Sequence, residues 1–513
     1  MSQSAPAVAL SSETAPPPRW IAPWLALLAP LYVISPLALL ALLQLKKLPR
    51  TAKWILAFYA ISQQLPALFS PDLLLASLLA ALRTLLMLGF IGTGVALNDQ
   101  GRLRSFAIGL GIVFATALVY FLFSAHDLAT LRLSHPYMTS TSLGLAGALG
   151  TWFALFNLAR PISRVLLGVS SLGVLVFSGS RSALVAAVIS SLLALLVENK
   201  RVQRLVIVGG LVLGSAVVAL GQHYEIAPIQ RLTTLDTTDR DVIWSDTFSV
   251  IRQAPLSGVG SYLLGRSLAP TSGACKLYPT AEGRVSTCPA WLARLGSPWL
   301  IAHNLMLQQL AETGPLGLAG LLVLLCFVAA HCTASREPFA VAVVVGLLLT
   351  SVFDNTLLVP SPFFAELFWI VVGMQLSRSL TIKPMQIAAS VMLLPVLALP
   401  LIGAALPAKH FPATLRYFSA PRRVQSPEDY SVVAQFGLPA GHYRVNLRSC
   451  TESCATLVTL PFDVGDQAPE VLNLKTVLRQ VETQRLELRL FPGTSTLKSV
   501  PNALYSWTVQ VKQ

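Results

Sequence analysis

Charge is what this sequence has least of. Only 12% of its 513 residues are Asp, Glu, Lys or Arg, against about 25% in an ordinary soluble protein. The shortage is spread over most of residues 1–405, which run in apolar stretches of about 17–25 residues, the length that crosses a bilayer core. One or two soluble domains are excluded, and the chain reads as a polytopic membrane protein.

Other absences narrow the reading. Residues 1–19 are rich in Ser, Ala and Pro and hold one basic residue, Arg19. They lack the basic start and short apolar core of a cleaved signal peptide, so a disordered tail is expected over 1–19. No basic stretch is interleaved with aromatics, so the net charge of +14 points to no nucleic-acid partner. It fits the positive-inside bias of a membrane protein. No internal repeat of the kind found in many transporters is visible. The seven histidines show no metal-ligand spacing, and neither a metal nor another cofactor is expected.

What is present is a succession of about twelve apolar spans, near 21–43, 54–70, 73–97, 105–123, 141–158, 165–180, 182–197, 205–222, 316–331, 339–358, 362–377 and 385–405. The first holds Pro23, Pro30 and Pro36 and is expected to kink or re-enter. Alternate connecting loops hold fourteen basic residues: Lys46, Lys47, Arg50, Lys53, Arg102, Arg104, Arg160, Arg164, Lys200, Arg201, Arg204, Arg336, Arg378 and Lys383. The short loops on the other side hold only Arg132 and Arg181. The basic set is therefore expected in the cytoplasm, which puts the loop 223–302 and the tail 406–513 outside. Four of the six cysteines fall in these outer segments, and disulfides Cys275–Cys288 and Cys450–Cys454 are expected in an oxidising compartment. Cys326 and Cys332 lie within or at the inner end of a span and should stay reduced.

From about residue 420 the pattern changes to short, partly alternating segments, among them Tyr430–Phe436, Gly441–Leu447, Thr456–Phe462, Leu486–Leu490 and Tyr505–Val511. They predict a small β-sandwich. A structural cap is the favoured reading for it, and sugar binding the other.

The candidates for chemistry gather in the outer loop. Arg231 is followed by Thr238-Asp239-Arg240-Asp241, then by a helix-like stretch Val242–Arg252 and a turn from Pro255 to Gly260. The loop closes on Ala302-His303-Asn304, whose following residues are too polar for lipid, before Gly314-Pro315 breaks the helix. His303 is thus expected on a short helix at the outer surface, facing a cavity. A lone histidine is more often a satisfied structural residue, but its place at the mouth of the bundle favours a role. Ser178-Gly179-Ser180-Arg181 forms the outer turn between two spans. Arg181 has two readings there: a side chain reaching to headgroups, or a guanidinium at the cavity rim suited to phosphate. Arg83 and Asp354 lie inside expected spans, where charges are costly. Each lines a carrier site or belongs to a structural tie.

In this order the elements resemble the O-antigen ligase and polymerase superfamily. Ser180-Arg181, Arg240 with Trp244, the turn Pro255–Gly260, and His303-Asn304 through Leu307, Glu312, Gly314 and Gly317 carry the resemblance, which covers about residues 140–360. It implies a membrane glycan-transferase domain over 20–405, acting on an undecaprenyl-diphosphate-linked glycan. Arg181 and Arg240 would balance the diphosphate leaving group. His303, of a residue type that titrates near neutrality, would take the acceptor proton. Asn304, Arg231, Asp241, Trp244 and Glu312, with Arg83 and Asp354, would line the substrate site. The expected acceptor is lipid A–core. A growing glycan, as in a polymerase, and a protein Ser or Thr are alternatives, because ligases of lipopolysaccharide usually end in the cytoplasm without an added domain. A transporter of lipid-linked sugar is the alternative of a different class.

Overall fold

The computed structural model describes residues 18–123, 132–133, 135–198, 209, 240–268, 295, 300–378, 380–392, 394–399, 401, 414–425, 429–450, 454–465, 471–478, 483–492 and 503–512. It is mostly helical up to residue 401 and β-structured after 414. Among the described residues, three helices are long and apolar enough to cross a membrane: Leu73–Leu97, Gln100–Phe123 and Leu305–Ser335. Shorter apolar helices accompany them at Pro161–Phe177, Arg181–Val197, Pro338–Thr350 and Phe364–Leu376. The apolar stretch 205–222 lies outside the described residues except for Gly209.

Local chemistry sets where these helices break. The first apolar stretch divides into an α-helix, Ile21–Leu28, and a 3-10 helix, Tyr32–Lys47, with Pro36 inside it. Leu305–Ser335 is interrupted at Gly314, whose φ of +63° no residue with a side chain adopts cheaply, and Pro315 follows. The part after the break, 315–335, is about 30 Å long at 1.5 Å per residue, the thickness of a bilayer's apolar core.

One expected span is corrected. The stretch 339–358 does not continue as helix; the helix ends at Thr350. The Ser351 hydroxyl donates to the Leu347 carbonyl at 2.7 Å, and the Thr356 hydroxyl donates to it at 3.0 Å. Hydroxyls thus compete for the last helical acceptors, and Asp354 sits in the loop beyond the helix rather than inside a span.

Helices approach closely where side chains are missing. A Cβ on Gly89 would come within 2.8 Å of the Ala38 carbonyl oxygen, and one on Gly94 would collide with the Ile370 carbonyl. Small residues at such crossings let backbones touch, the usual way helices associate in lipid.

The C-terminal region forms two sheets. Strands β1 (Thr414–Ser419), β3 (Asp429–Gly437) and β6 (Val471–Val477) make one, in the order β1-β3-β6. Strands β2 (Arg423–Gln425), β8 (Ala503–Lys512), β7 (Thr483–Pro492), β4 (Gly441–Cys450) and β5 (Cys454–Val464) make the other, in that order. Tyr430, Val432 and Ala434 of the first sheet share a core with Val445, Leu447, Leu488 and Val509 of the second, as in a β-sandwich. β4 is unusual: its other face, Arg444, Asn446 and Arg448, is buried as well.

Candidate functional site

The site is built where Leu305–Ser335 begins. Asn304 is its N-cap, and its side-chain oxygen accepts from the Leu307 amide at 2.9 Å. The same side chain donates from Nδ2 to the Val352 carbonyl at 2.9 Å, while the Leu305 amide donates to the Ser351 carbonyl at 2.9 Å. Buried Asn304 therefore joins the helix start to the loop that carries Asp354. Both functions of its amide are spent inside the protein.

His303 immediately precedes this cap with φ +48°, a backbone region sparsely used by residues other than glycine and often found at functional sites. The conformation turns its ring to Asp354, with Nδ1 3.3 Å from Oδ1. About a third of the His303 side chain is exposed, 34%, against 23% for Asp354, so the pair is open on the histidine side. Burial alone would raise the Asp354 carboxyl. The hydrogen bond and charge of His303, the Asn355 amide and the charge of Arg240 outweigh it and hold Asp354 below the usual carboxylate range.

Arg240 opens the helix Arg240–Gln253. At 100° per residue it shares a face with Trp244, Phe248 and Ile251. That face packs on the start of Leu305–Ser335: Trp244, Phe248 and Ile251 join Ala302, Leu307 and Ala311 in one apolar cluster. Trp244 is fully buried, with its ring 6.5 Å from Phe353. The turn after this helix locks to the break at Gly314. Val259 and Gly260 donate to the carbonyls of Ala311 and Glu312, each at 2.9 Å. A Cβ on Gly258 or Gly314 would collide with the backbone of Glu312 or Leu256. The two glycine-containing motifs thus interlock by backbone.

Beneath them lies an ion pair. Arg83 Nη2 is 2.6 Å from Glu312 Oε2, with both side chains almost wholly buried. Glu312 Oε1 accepts from Gln308 Nε2 at 2.6 Å and from the Tyr262 amide at 3.0 Å, and the Arg83 guanidinium lies 4.0 Å above the Tyr262 ring. Arg83 and Glu312 therefore tie three segments together.

Arg181 begins the helix Arg181–Glu198. The turn before it is closed by the segment carrying Arg132, whose Nε donates to the Ser178 carbonyl at 2.6 Å. Arg231, Cys275 and Cys288 lie outside the described residues, as does the side chain of Asp241. Cys450 is disulfide-bonded, and its cross-strand partner is Cys454. Two features were passed over in reading the sequence. One is the His303–Asp354 pairing, whose partners are far apart in the chain. The other is visible without a structure: Asp239 and Asp241 flank Arg240 at Asp-x-Asp spacing. Among the described residues, no group of three or more His, Cys, Asp or Glu is placed to hold a metal, and Asp239 and the Asp241 side chain are not among them.

Residues 165–322 match the family model described as O-antigen ligase. The resemblance read from the motifs is thereby borne out. The matched segment contains Arg181, Arg240, Trp244, the Pro255–Gly260 turn and His303 through Gly317, and it stops before Asp354 and the β-sandwich. No curated protein matches the chain.

Proposed function

We propose that this protein is an O-antigen ligase of the bacterial inner membrane, acting at the periplasmic face. It moves a glycan from an undecaprenyl-diphosphate carrier to a hydroxyl of lipid A–core. The match of residues 165–322 supports glycan transfer of the ligase or polymerase type. The observation that carries the reading further is the half-open His303–Asp354 pair, within reach of the charge of Arg240.

In this reading His303 takes the proton of the acceptor hydroxyl as its oxygen attacks the anomeric carbon. Asp354 orients the imidazole and balances the charge it gains. The bond from the sugar to the diphosphate breaks, and the carrier leaves with its negative charge countered by Arg240 and Arg181. Residues 223–302 and the β-sandwich then lie in the periplasm, as the charge bias of the loops expects.

The purified full chain, in nanodiscs, would be given a lipid-diphosphate-linked glycan and, separately, lipid A–core, free polysaccharide or a Ser/Thr peptide. Transfer to lipid A–core with release of the carrier diphosphate is the expected outcome. Transfer only to polysaccharide or peptide would change the acceptor. Movement of the lipid-linked sugar across the bilayer without bond cleavage would overturn the reading.

A further inference from the structure

The helix that begins with Arg240 has a second, polar face. Ser245, Asp246 and Ser249 lie on the side opposite Arg240, Trp244 and Ile251, as a 100° step requires. This face is covered by the β-sandwich. Asp246 Oδ1 accepts from Arg489 Nη2 of β7 at 2.7 Å and faces Arg448 Nη1 of β4 at 3.4 Å. Oδ2 accepts from the Thr456 hydroxyl of β5 at 2.5 Å. Arg489 Nη1 also donates to the Ser245 hydroxyl at 2.9 Å.

The arginines are themselves fixed from behind. Arg489 donates from Nε and Nη2 to Asn446 Oδ1 at 3.1 and 2.9 Å, and Arg448 Nε donates to Glu487 at 2.6 Å. Two buried guanidinium groups, those of Arg448 and Arg489, thus meet two buried carboxylates, Asp246 and Glu487, and the exposed Arg485 reaches Glu487 Oε1 from the outside at 2.9 Å. A buried charge network of this kind fixes one geometry, because any slip strands a charge away from water. It also accounts for part of the double burial of β4: Arg448 reaches Asp246 and Ser249 of the helix, and Asn446 holds Arg489 from behind.

We propose that Asp246 is a positioning residue, through which the β-sandwich holds Arg240 at the mouth formed by His303 and Asp354. Asp246 lies six positions after Arg240 on the same helix, about 9 Å along its axis. With Trp244 and Phe248 packed on the bundle side and Asp246 clamped on the other, the helix can neither roll nor slide. The β-sandwich then serves the reaction as a brace, and reads no sugar at this face. The proposal rests on the glycan-transfer reading and assigns it a part for the C-terminal region.

The test uses the full chain and measures transfer per folded molecule. Wild-type activity is established first, since its absence would count against the glycan-transfer reading alone. Hydrogen exchange of residues 240–253 still reads the clamp in that case: faster exchange in Asp246→Asn is expected, and unchanged exchange would overturn it. With an active wild type, Asp246→Asn and Arg489→Ala should each raise KM for the lipid-linked donor and lower kcat/KM between about ten- and hundredfold, the scale of a small misplacement. Arg489→Lys should recover part of the loss. In an Arg240→Ala background Asp246→Asn should cost little more, because both act through one group. Should Arg489→Ala fail to accumulate, Asp246→Asn, which keeps the shape and one acceptor, carries the comparison. Wild-type kcat/KM in Asp246→Asn, or an undiminished loss in the Arg240→Ala background, would overturn the proposal.

Discussion

His303 Nδ1 and Asp354 Oδ1 stand 3.3 Å apart, bridging the start of one long helix and the loop after another. The contact is long for a hydrogen bond, as catalytic contacts often are before substrate binds. His303→Ala is expected to lower transfer by about 10²–10⁴ while the protein still folds and binds donor. Asp354→Asn should also cost at least about 10²-fold, since an amide that cannot balance an imidazolium loses the orienting function. Near-normal product from a well-folded His303→Ala protein would remove the pair from the mechanism.

The charge state of Asp354 has a consequence for pH. Its folded carboxyl is held below the usual value of 3.8 by His303, the Asn355 amide and Arg240, against the opposing effect of burial. A depressed carboxyl stabilises the fold above its unfolded pKa, and that stabilisation is lost as the pH falls through the folded value. Asp354 should therefore contribute no inflection to stability near neutrality, and its share should vanish only below about pH 4. Thermal unfolding of wild type and Asp354→Asn across pH should show the two curves converging in acid. A gap that stays constant down to strongly acid pH would contradict the assigned direction.

Arg83 and Glu312 allow a cleaner separation of structure from substrate binding. Removing one partner of a buried pair leaves the other charge uncompensated and costs about 3–5 kcal/mol. Replacing both with apolar groups of similar size is often neutral. Arg83→Met should unfold at clearly lower temperature, and Arg83→Met/Glu312→Met should recover much of the loss. If the double variant is stable and transfers normally, the pair is a tie and nothing more. If it is stable but inactive, Arg83 or Glu312 touches substrate.

Much of this was legible where physics is local. The apolar run 73–97 coincides with the helix Leu73–Leu97, because length and hydropathy alone fix such a segment. The break at Gly314-Pro315 and the strands around Val445 and Val509 follow from glycine, proline and alternation in the same way. The end of the helix at Thr350 was hidden by the apolar residues of 351–359, although Ser351 and Thr356 are the hydroxyls that end it. The polar residues Arg444, Asn446 and Arg448 alternate as a solvent face would, yet they are buried. Arg448 meets Asp246 and Ser249 of a helix some two hundred residues upstream, and no local pattern announces a partner at that distance.

The Asp-x-Asp spacing around Arg240 gives the expectation of metal-independent transfer a sharp test. If Arg240 and Arg181 supply the positive charge at the leaving group, no divalent ion is needed there. Transfer should persist after extensive chelation with EDTA and should not rise when magnesium or manganese is returned. Activity abolished by EDTA and restored by either ion would assign Asp239 and Asp241 to a cation instead.

Arg181 and Arg240 begin two different helices, one between apolar stretches and one in the long connecting segment. If both face the donor, they hold the diphosphate from two sides. Charge is the first requirement, and geometry the second: a guanidinium offers a planar fork of donors, and an ammonium does not. Arg→Lys at either position should therefore keep partial transfer, whereas Arg→Glu should abolish it by repelling the carrier. Changing both to Ala should cost less than the product of the single effects, because two residues acting on one group are not independent. The alternative is that each merely anchors the chain at headgroups. In that case Arg→Glu lowers expression, and activity per folded molecule is preserved. Transfer per folded molecule, with lipid-diphosphate binding measured alongside, separates the two. Wild-type donor affinity and turnover in both Arg→Glu proteins would refute the clamp.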